Sequence, residues 1–408
     1  MKRRILWVLT SLTLSSLVFG GTPAVKVGAD VLVEDRLQLL SGKRVGLITN
    51  LTGRVRTGKF LLDILRSKGI CVTAIFAPEH GIRGTDQAGE TYRDSVDSRT
   101  GVRIYSLYGT TKKPTPDMLQ AVDVLVYDIQ DVGVRCYTYI STMALCMEAA
   151  AAVHIPFIVL DRPNPLGGEV MDGPVLPDSL RSFVGYLPIP TVYGLTAGEL
   201  AEMANEEGWL KGGARVDLTV IPMSGWTRTM SWSETGLTWI APSPNIPTIE
   251  SAIAYPMTVY LEATNISEGR GTPAPFRMLG APFLPADSLS VRLQPVTGEG
   301  IQFRDTSFTP TFSKHRGTSC AGVFLTIALG PLHAPVRKGM LLLSRLRRLA
   351  GRAMLIDKKS LALLVGDNEA VDIILRGSDV TSVFEGWTRS AKAFQMQAAR
   401  YRLYPEKQ

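Results

Sequence analysis

Short runs of β-branched and aliphatic residues recur through the first half of the chain without the polar–apolar alternation of a strand that has one wet face. Val45-Gly-Leu-Ile-Thr-Asn50, Cys71-Val-Thr-Ala-Ile-Phe76, Val122 to Tyr127, Phe157 to Leu160 and Val216 to Ile221 read as buried strands, and Arg103 to Tyr108 as a shorter one. Helical stretches separate them: Gly58 to Lys68, Thr115 to Ala121 and the apolar Ile140 to Val153. Thr196-Ala-Gly-Glu199 forms a capping box that starts a helix running to about Glu207, with Gly208 as its stop. Continuous apolar strands alternating with helices predict an α/β fold, a parallel sheet covered on both faces. Glu148, inside the apolar helix, is expected on its exposed side. From Arg337 to Lys359 the pattern predicts one basic amphipathic helix whose Arg345, Arg347 and Arg348 form a solvated face.

The pattern changes after Ile221. Trp226, Trp232 and Trp239 fall close together, followed by Ala241-Pro-Ser-Pro-Asn-Ile-Pro247, and a domain change is placed here: 25–225, then a smaller domain over 226–408. At 408 residues the chain is long enough for both. With 45% hydrophobic and 20% charged residues it is neither a disordered nor a multi-span membrane protein. The start is distinct: Lys2, Arg3 and Arg4 precede an apolar stretch from Ile5 to Phe19 and then Gly20 and Gly21, the form of a signal peptide over 1–21 and hence of a secreted or periplasmic protein. Those cations supply three of the seven net positive charges, so the remainder is only mildly basic. Cys71, Cys136, Cys146 and Cys320 show no zinc-type spacing, and their spacing leaves a disulfide open.

In open parallel sheets ligands bind beyond the carboxyl ends of the strands. Asn50, Glu79, Asp128 and Asp161 stand at or just past such ends. The densest stretch is Ala77-Pro-Glu-His-Gly-Ile-Arg-Gly-Thr-Asp-Gln-Ala-Gly-Glu90, where Glu79 and Glu90 suit a general acid and its partner, His80 a proton relay and Arg83 an anion. In Tyr127-Asp-Ile-Gln-Asp131, Asp128 and Gln130 would point to one side and Asp131 elsewhere if the strand continued. Arg135 beyond them fits an ion pair or a ligand carboxylate, and Tyr137 and Tyr139 fit either sugar hydrogen bonds or buried packing. Asp161-Arg-Pro-Asn-Pro165 holds Asn164 in a rigid loop, as a ligand group or a plain turn. Glu262-Ala-Thr-Asn-Ile-Ser-Glu-Gly-Arg-Gly-Thr272 presents Asn265, Glu268 and Arg270 around a glycine bend, and Arg pairs bidentately with carboxylates. The three tryptophans serve as a sugar platform or as interface packing. A nucleotide-binding enzyme is disfavoured because no strand leads into Gly-x-Gly-x-x-Gly or a P-loop.

Taken jointly, Gly46-Leu-Ile-Thr-Asn50, Pro78-Glu-His-Gly81 through Gly89-Glu90, Asp128-Ile-Gln-Asp131, Tyr137-Thr-Tyr-Ile-Ser-Thr142, Asp161-Arg-Pro-Asn-Pro165, Pro244-Asn-Ile-Pro247 and Glu268-Gly-Arg-Gly271 resemble the exo-β-N-acetylmuramidase family. Leu51 and Cys136 depart from its pattern, where a polar residue and an aromatic are usual. The resemblance implies a Rossmann-like domain carrying the cleft and a smaller α+β auxiliary domain. It implies removal of N-acetylmuramic acid from the non-reducing end of peptidoglycan fragments, with Glu79 as acid and Glu90, Asp128 and His80 as partners. No metal or redox cofactor, nucleic acid or membrane partner is implied, and a non-catalytic muropeptide-binding protein is the rival reading. The second catalytic group, the stereochemistry and the oligomeric state stay open.

Overall fold

The computed structural model describes residues 25–79, 82, 94–296, 298, 300–328, 330 and 332–407. Seven strands form the first sheet: β1 (Arg44–Thr49), β2 (Cys71–Ala77), β3 (Ser95–Val96), β4 (Arg103–Ser106), β5 (Val124–Asp128), β6 (Phe157–Leu160) and β7 (Leu218–Ile221). Their order is β3-β4-β2-β1-β5-β6-β7, parallel throughout except for the antiparallel edge strand β3. The central strands are apolar because both faces are covered: every residue of β5 and β6 is buried, as is all of β1 after Arg44. One face carries Leu47, Ile75, Val126 and Ile158, the other Ile48, Phe76, Tyr127 and Val159. The sheet is the expected α/β, Rossmann-like arrangement. The order in which strands are added across it reverses at β1, which takes β2 on one side and β5 on the other.

The second sheet is antiparallel, β8 (Met278–Ala281), β9 (Ile301–Phe308) and β10 (Cys320–Ile327), ordered β8-β10-β9. Here alternation appears: Ile301 and Phe303 are buried and Gln302 and Arg304 exposed, as one covered face demands. The helix Ile249–Thr258 packs on β10 and against the helix Pro335–Ala350. One apolar core runs without a break from Phe76 and Tyr127 through Tyr255 and Tyr260 to Val323 and Ile374. The segment after β7 is stitched to the first sheet: Trp226 is buried, Arg228 pairs with Glu199 at 2.6 Å and Tyr139 donates to the Pro242 carbonyl at 2.5 Å. The chain end returns there too. Tyr404 donates to Asp161 at 2.5 Å and accepts from the Met223 amide at 3.0 Å, and Leu403 donates its amide to Glu199 at 2.9 Å.

Two local expectations are corrected. The basic stretch is two helices, Pro335–Ala350 and Lys358–Val365, because Gly351 turns to φ +54° and Asp357 caps the second through the amides of Lys359 and Ser360 at 3.0 and 3.2 Å. Glu148 is buried, not exposed. Its carboxylate accepts from the Tyr186 hydroxyl at 2.5 Å and the Lys211 amide at 2.8 Å, with Lys113 at 3.5 Å, so the cost of burial is met by donors from outside its own helix. All four cysteines are free thiols. No described helix is long and apolar enough to cross a membrane.

Candidate active site

A cleft of about 560 Å³ opens where loops at the carboxyl edge of the first sheet meet the second domain. Glu79 enters it directly after β2, since Pro78 ends the strand. Tyr108 enters from beyond β4 and donates a hydrogen bond to Glu79. Burial, with the Glu79 charge beside it, pushes the Tyr108 hydroxyl up to about 12, so at neutral pH it keeps its proton and stays a donor. The aromatic wall is a chain of edge-to-face contacts: Tyr139 to Tyr137 at 4.9 Å, Tyr137 to Tyr255 at 5.8 Å and Tyr255 to Phe276 at 4.8 Å. Such a wall offers ring edges and faces to an apolar sugar surface.

The second domain contributes the charges. Arg270 binds Glu262 at 2.5 Å and Glu268 at 3.1 Å, and its guanidinium lies 5.4 Å from the Phe276 ring centre. Lys314 binds the other Glu268 oxygen at 2.8 Å and the carbonyls of Leu261 and Ile266 at 2.7 and 3.2 Å. Glu268 is almost fully buried, whereas 29% of the Glu262 side chain remains open to the cleft. Burial raises Glu262 above the usual carboxylate range, opposed by the Arg270 charge. Burial would depress Arg270, but Glu262 and Glu268 outweigh it and hold the guanidinium above its ordinary value. The cleft therefore pairs a carboxyl hydrogen-bonded by a neutral phenol with a fixed cation on the facing domain.

Of the residues singled out in the sequence, Glu79, Tyr137, Tyr139, Glu268 and Arg270 line this cleft. His80, Arg83 and Glu90 lie outside the described residues. The others sit elsewhere, each held by partners in the fold, although Asp128 Oδ2, Asp131 Oδ1 and Arg135 Nε are buried without a hydrogen-bond partner among the described residues. Asp128 is wholly buried and bound by Arg162 at 2.6 Å, so it opens onto no hollow shared with Glu79. Asn50 accepts from the amide and hydroxyl of Thr52 at 2.9 and 2.6 Å, and Asn164 bridges the Leu195 carbonyl and the Leu166 amide at 2.9 and 3.0 Å. Asp131 accepts from the Tyr193 hydroxyl and, at 2.7 Å, the Gly133 amide. Arg135 is fully buried; its guanidinium donates to the carbonyls of Pro174 and Ile189 at 2.8 Å each and of Val365 at 2.9 Å. Asn265 ties down Ala353 and Leu355 at 2.9 and 2.8 Å. The strand ends at Asp128, so the expected alternation stops and Gln130 turns to a separate hollow of about 450 Å³. Trp232 and Trp239 line that hollow, while Trp226 packs edge-on at 5.0 Å against Tyr404.

Tyr108, Asn245, Glu262 and Lys314 line the cleft without having been singled out. Tyr108 ends a predicted strand and Glu262 opens a marked segment, so position alone pointed at them; nothing local to Lys314 does. Among the described residues no group of three His, Cys, Asp or Glu side chains is placed to hold a metal ion.

Comparison with known proteins gives a consistent picture. Residues 45–250 match the family model for the N-terminal region of exo-β-N-acetylmuramidase NamZ, and residues 253–404 the model for its C-terminal region. The chain is 44% identical over 384 residues to the peptidoglycan β-N-acetylmuramidase NamZ of Bacillus subtilis (strain 168), covering 94% of this chain and 92% of that protein. Two crystal structures of DUF1343 family proteins from Bacteroides fragilis NCTC 9343 superpose with TM-scores of 0.86 and 0.76. They are 38% and 33% identical, covering 93% and 94% of this chain and 99% of each of theirs. Both halves, the sheet domain with Glu79 and the auxiliary domain with Arg270, are thus accounted for, and the chain belongs to the exo-β-N-acetylmuramidase NamZ family of glycosidases.

Proposed function

We propose that this protein is an exported glycoside hydrolase that releases N-acetylmuramic acid from the non-reducing end of peptidoglycan fragments during cell-wall turnover, with Glu79 as the proton donor. One observation carries the assignment of the donor. Protonating Glu262 or Glu268 would break ion pairs to Arg270 and Lys314, whereas the Tyr108 hydroxyl can hydrogen-bond Glu79 in either protonation state. Glu79 gives its proton to the glycosidic oxygen as the bond from the anomeric carbon breaks, and that oxygen leaves with the bonding electrons. Water adds at the anomeric carbon and loses its proton to a base at the site. Arg270, preset by Glu262 and Glu268, receives the lactyl carboxylate that distinguishes muramic acid from glucosamine. Tyr137 and Tyr139 pack along the sugar ring. Export is supported by Lys2, Arg3 and Arg4 followed by the apolar run from Ile5 to Phe19.

The test is release of a chromophore from a β-N-acetylmuraminide by the mature protein and by Glu79→Gln. Loss of the proton donor lowers turnover about 10²- to 10⁴-fold with little change in KM. Wild-type turnover by Glu79→Gln would remove the assignment.

A further inference from the structure

The second hollow is left unexplained by removal of one terminal sugar. It sits over the carboxyl ends of β1, β5 and β6, where the strand order reverses, which is the favoured ligand position in an open parallel sheet. Its wall carries Arg54, Arg56, Arg162, Trp232 and Trp239, and no Asp or Glu among the described residues that line it. The two indoles meet edge-on at 4.9 Å, and Trp239 is fixed by its Nε1 donating to the Ile246 carbonyl at 3.3 Å.

The three arginines are not equivalent. Arg162 is held by Asp128 and by the Arg54 carbonyl, the latter at 2.9 Å. Arg54 is held by the carbonyls of Leu51 and Gly58 at 3.2 and 2.9 Å. Arg56 is looser: its side chain is 38% exposed, with Glu34 at 3.5 Å and Asp30 at 4.0 Å. Two fixed guanidinium groups, with the Arg162 charge offset by Asp128, and the more exposed Arg56, only loosely paired with Glu34 and Asp30, stand beside two aromatic rings and suit a sugar chain bearing carboxylates.

The hollow and the catalytic cleft are lined by successive parts of the same two chain segments. The loop after β5 gives Gln130 to the hollow and Cys136 to Tyr139 to the cleft, and the next shared segment gives Trp232 and Leu237 to Ile240 to the hollow and Ser243, Asn245 and Ile246 to the cleft. In peptide-free peptidoglycan glycan a lactyl carboxylate recurs on alternate rings, so such a fragment seated by its terminal muramic acid presents a second carboxylate further along. We propose that the hollow is a distal subsite for the downstream part of the glycan, with Arg56 as its carboxylate clamp and Trp232 and Trp239 as its sugar-facing surface. This rests on the function proposed above and adds that the enzyme measures chain length.

The experiment compares kcat/KM on a four-sugar fragment ending in N-acetylmuramic acid with kcat/KM on the chromogenic muraminide, for wild type, Arg56→Ala and Arg56→Lys. Wild type prefers the chain. Arg56→Ala lowers the chain-to-monosaccharide ratio about tenfold, the usual weight of a charged hydrogen bond, and Arg56→Lys recovers part of it. A ratio that stays at the wild-type value, or both substrates falling together, overturns the subsite. Calorimetric titration with the same fragment separates the two proposals. If wild type turns over neither substrate, the hydrolase reading fails, and the subsite still stands or falls on whether Arg56→Ala weakens binding.

Discussion

Arg135 offers the sharpest test of how the fold divides structural from substrate-handling residues. Its guanidinium is buried completely among three carbonyls, those of Pro174, Ile189 and Val365, the last at the end of the helix Lys358–Val365 in the auxiliary domain. It joins the two domains and caps a helix terminus, where a cation is favoured. Arg135→Met keeps apolar bulk but strands the three acceptors, at about 1–3 kcal/mol each. Desolvation, which pulls Arg135 below its ordinary value, is relieved in the same step, so the net loss should be roughly 3–5 kcal/mol. For a chain of this size that corresponds to a fall in melting temperature of roughly 4–6 °C. The assay is thermal melting by tryptophan fluorescence together with KM on the chromogenic muraminide. Arg135→Lys, which lacks the planar fork, should fall between the two. A variant that melts with wild type but binds substrate poorly would refute the reasoning and return Arg135 to the substrate.

Burial raises Asp131 to about 6, and its Oδ1 has no hydrogen-bond partner among the described residues. For a carboxyl raised on folding, stability is fully present below the unfolded value near 3.9 and is lost as pH climbs through 6. Asp131→Asn keeps an acceptor for Tyr193 and Gly133, so its stability relative to wild type should improve between pH 4 and 7, read as urea midpoints at the two ends. A constant difference would contradict this. Tyr404→Phe removes a donor to Asp161 and the acceptor of the Met223 amide, and should cost about 1–3 kcal/mol by the same denaturation measurement without altering KM.

The sheet was legible because burial on both faces writes itself as unbroken apolar runs: Phe157 to Leu160 is β6 to the residue, and the capping box at Thr196 starts the helix Ala197–Glu206. Boundaries moved where a single glycine acted, as at Gly351. The cleft was legible at Glu79 and Arg270, polar groups set on bends just after apolar segments. It was not legible at Asn50, Asp128, Asn164 or Arg135, because a buried polar side chain and a ligand-binding one look alike until their partners are known. Those partners, Thr52, Arg162, Leu195 and Val365, lie between two and 230 positions away. Lys314 shows the converse: only the packing of β9 and β10 behind it brings its loop to Glu268.

The return of Tyr404 to the rim of the first sheet makes that rim depend on a distant stretch of sequence. Asp161 collects donors from Thr196, Gly198 and Tyr404, and the last of these lies 243 positions further along the chain. That acidic group has one of its neighbours supplied across almost the whole fold, a contact whose loop must be closed before it is made. Trimming that stretch would therefore be felt at the strand end and not only where the cut falls.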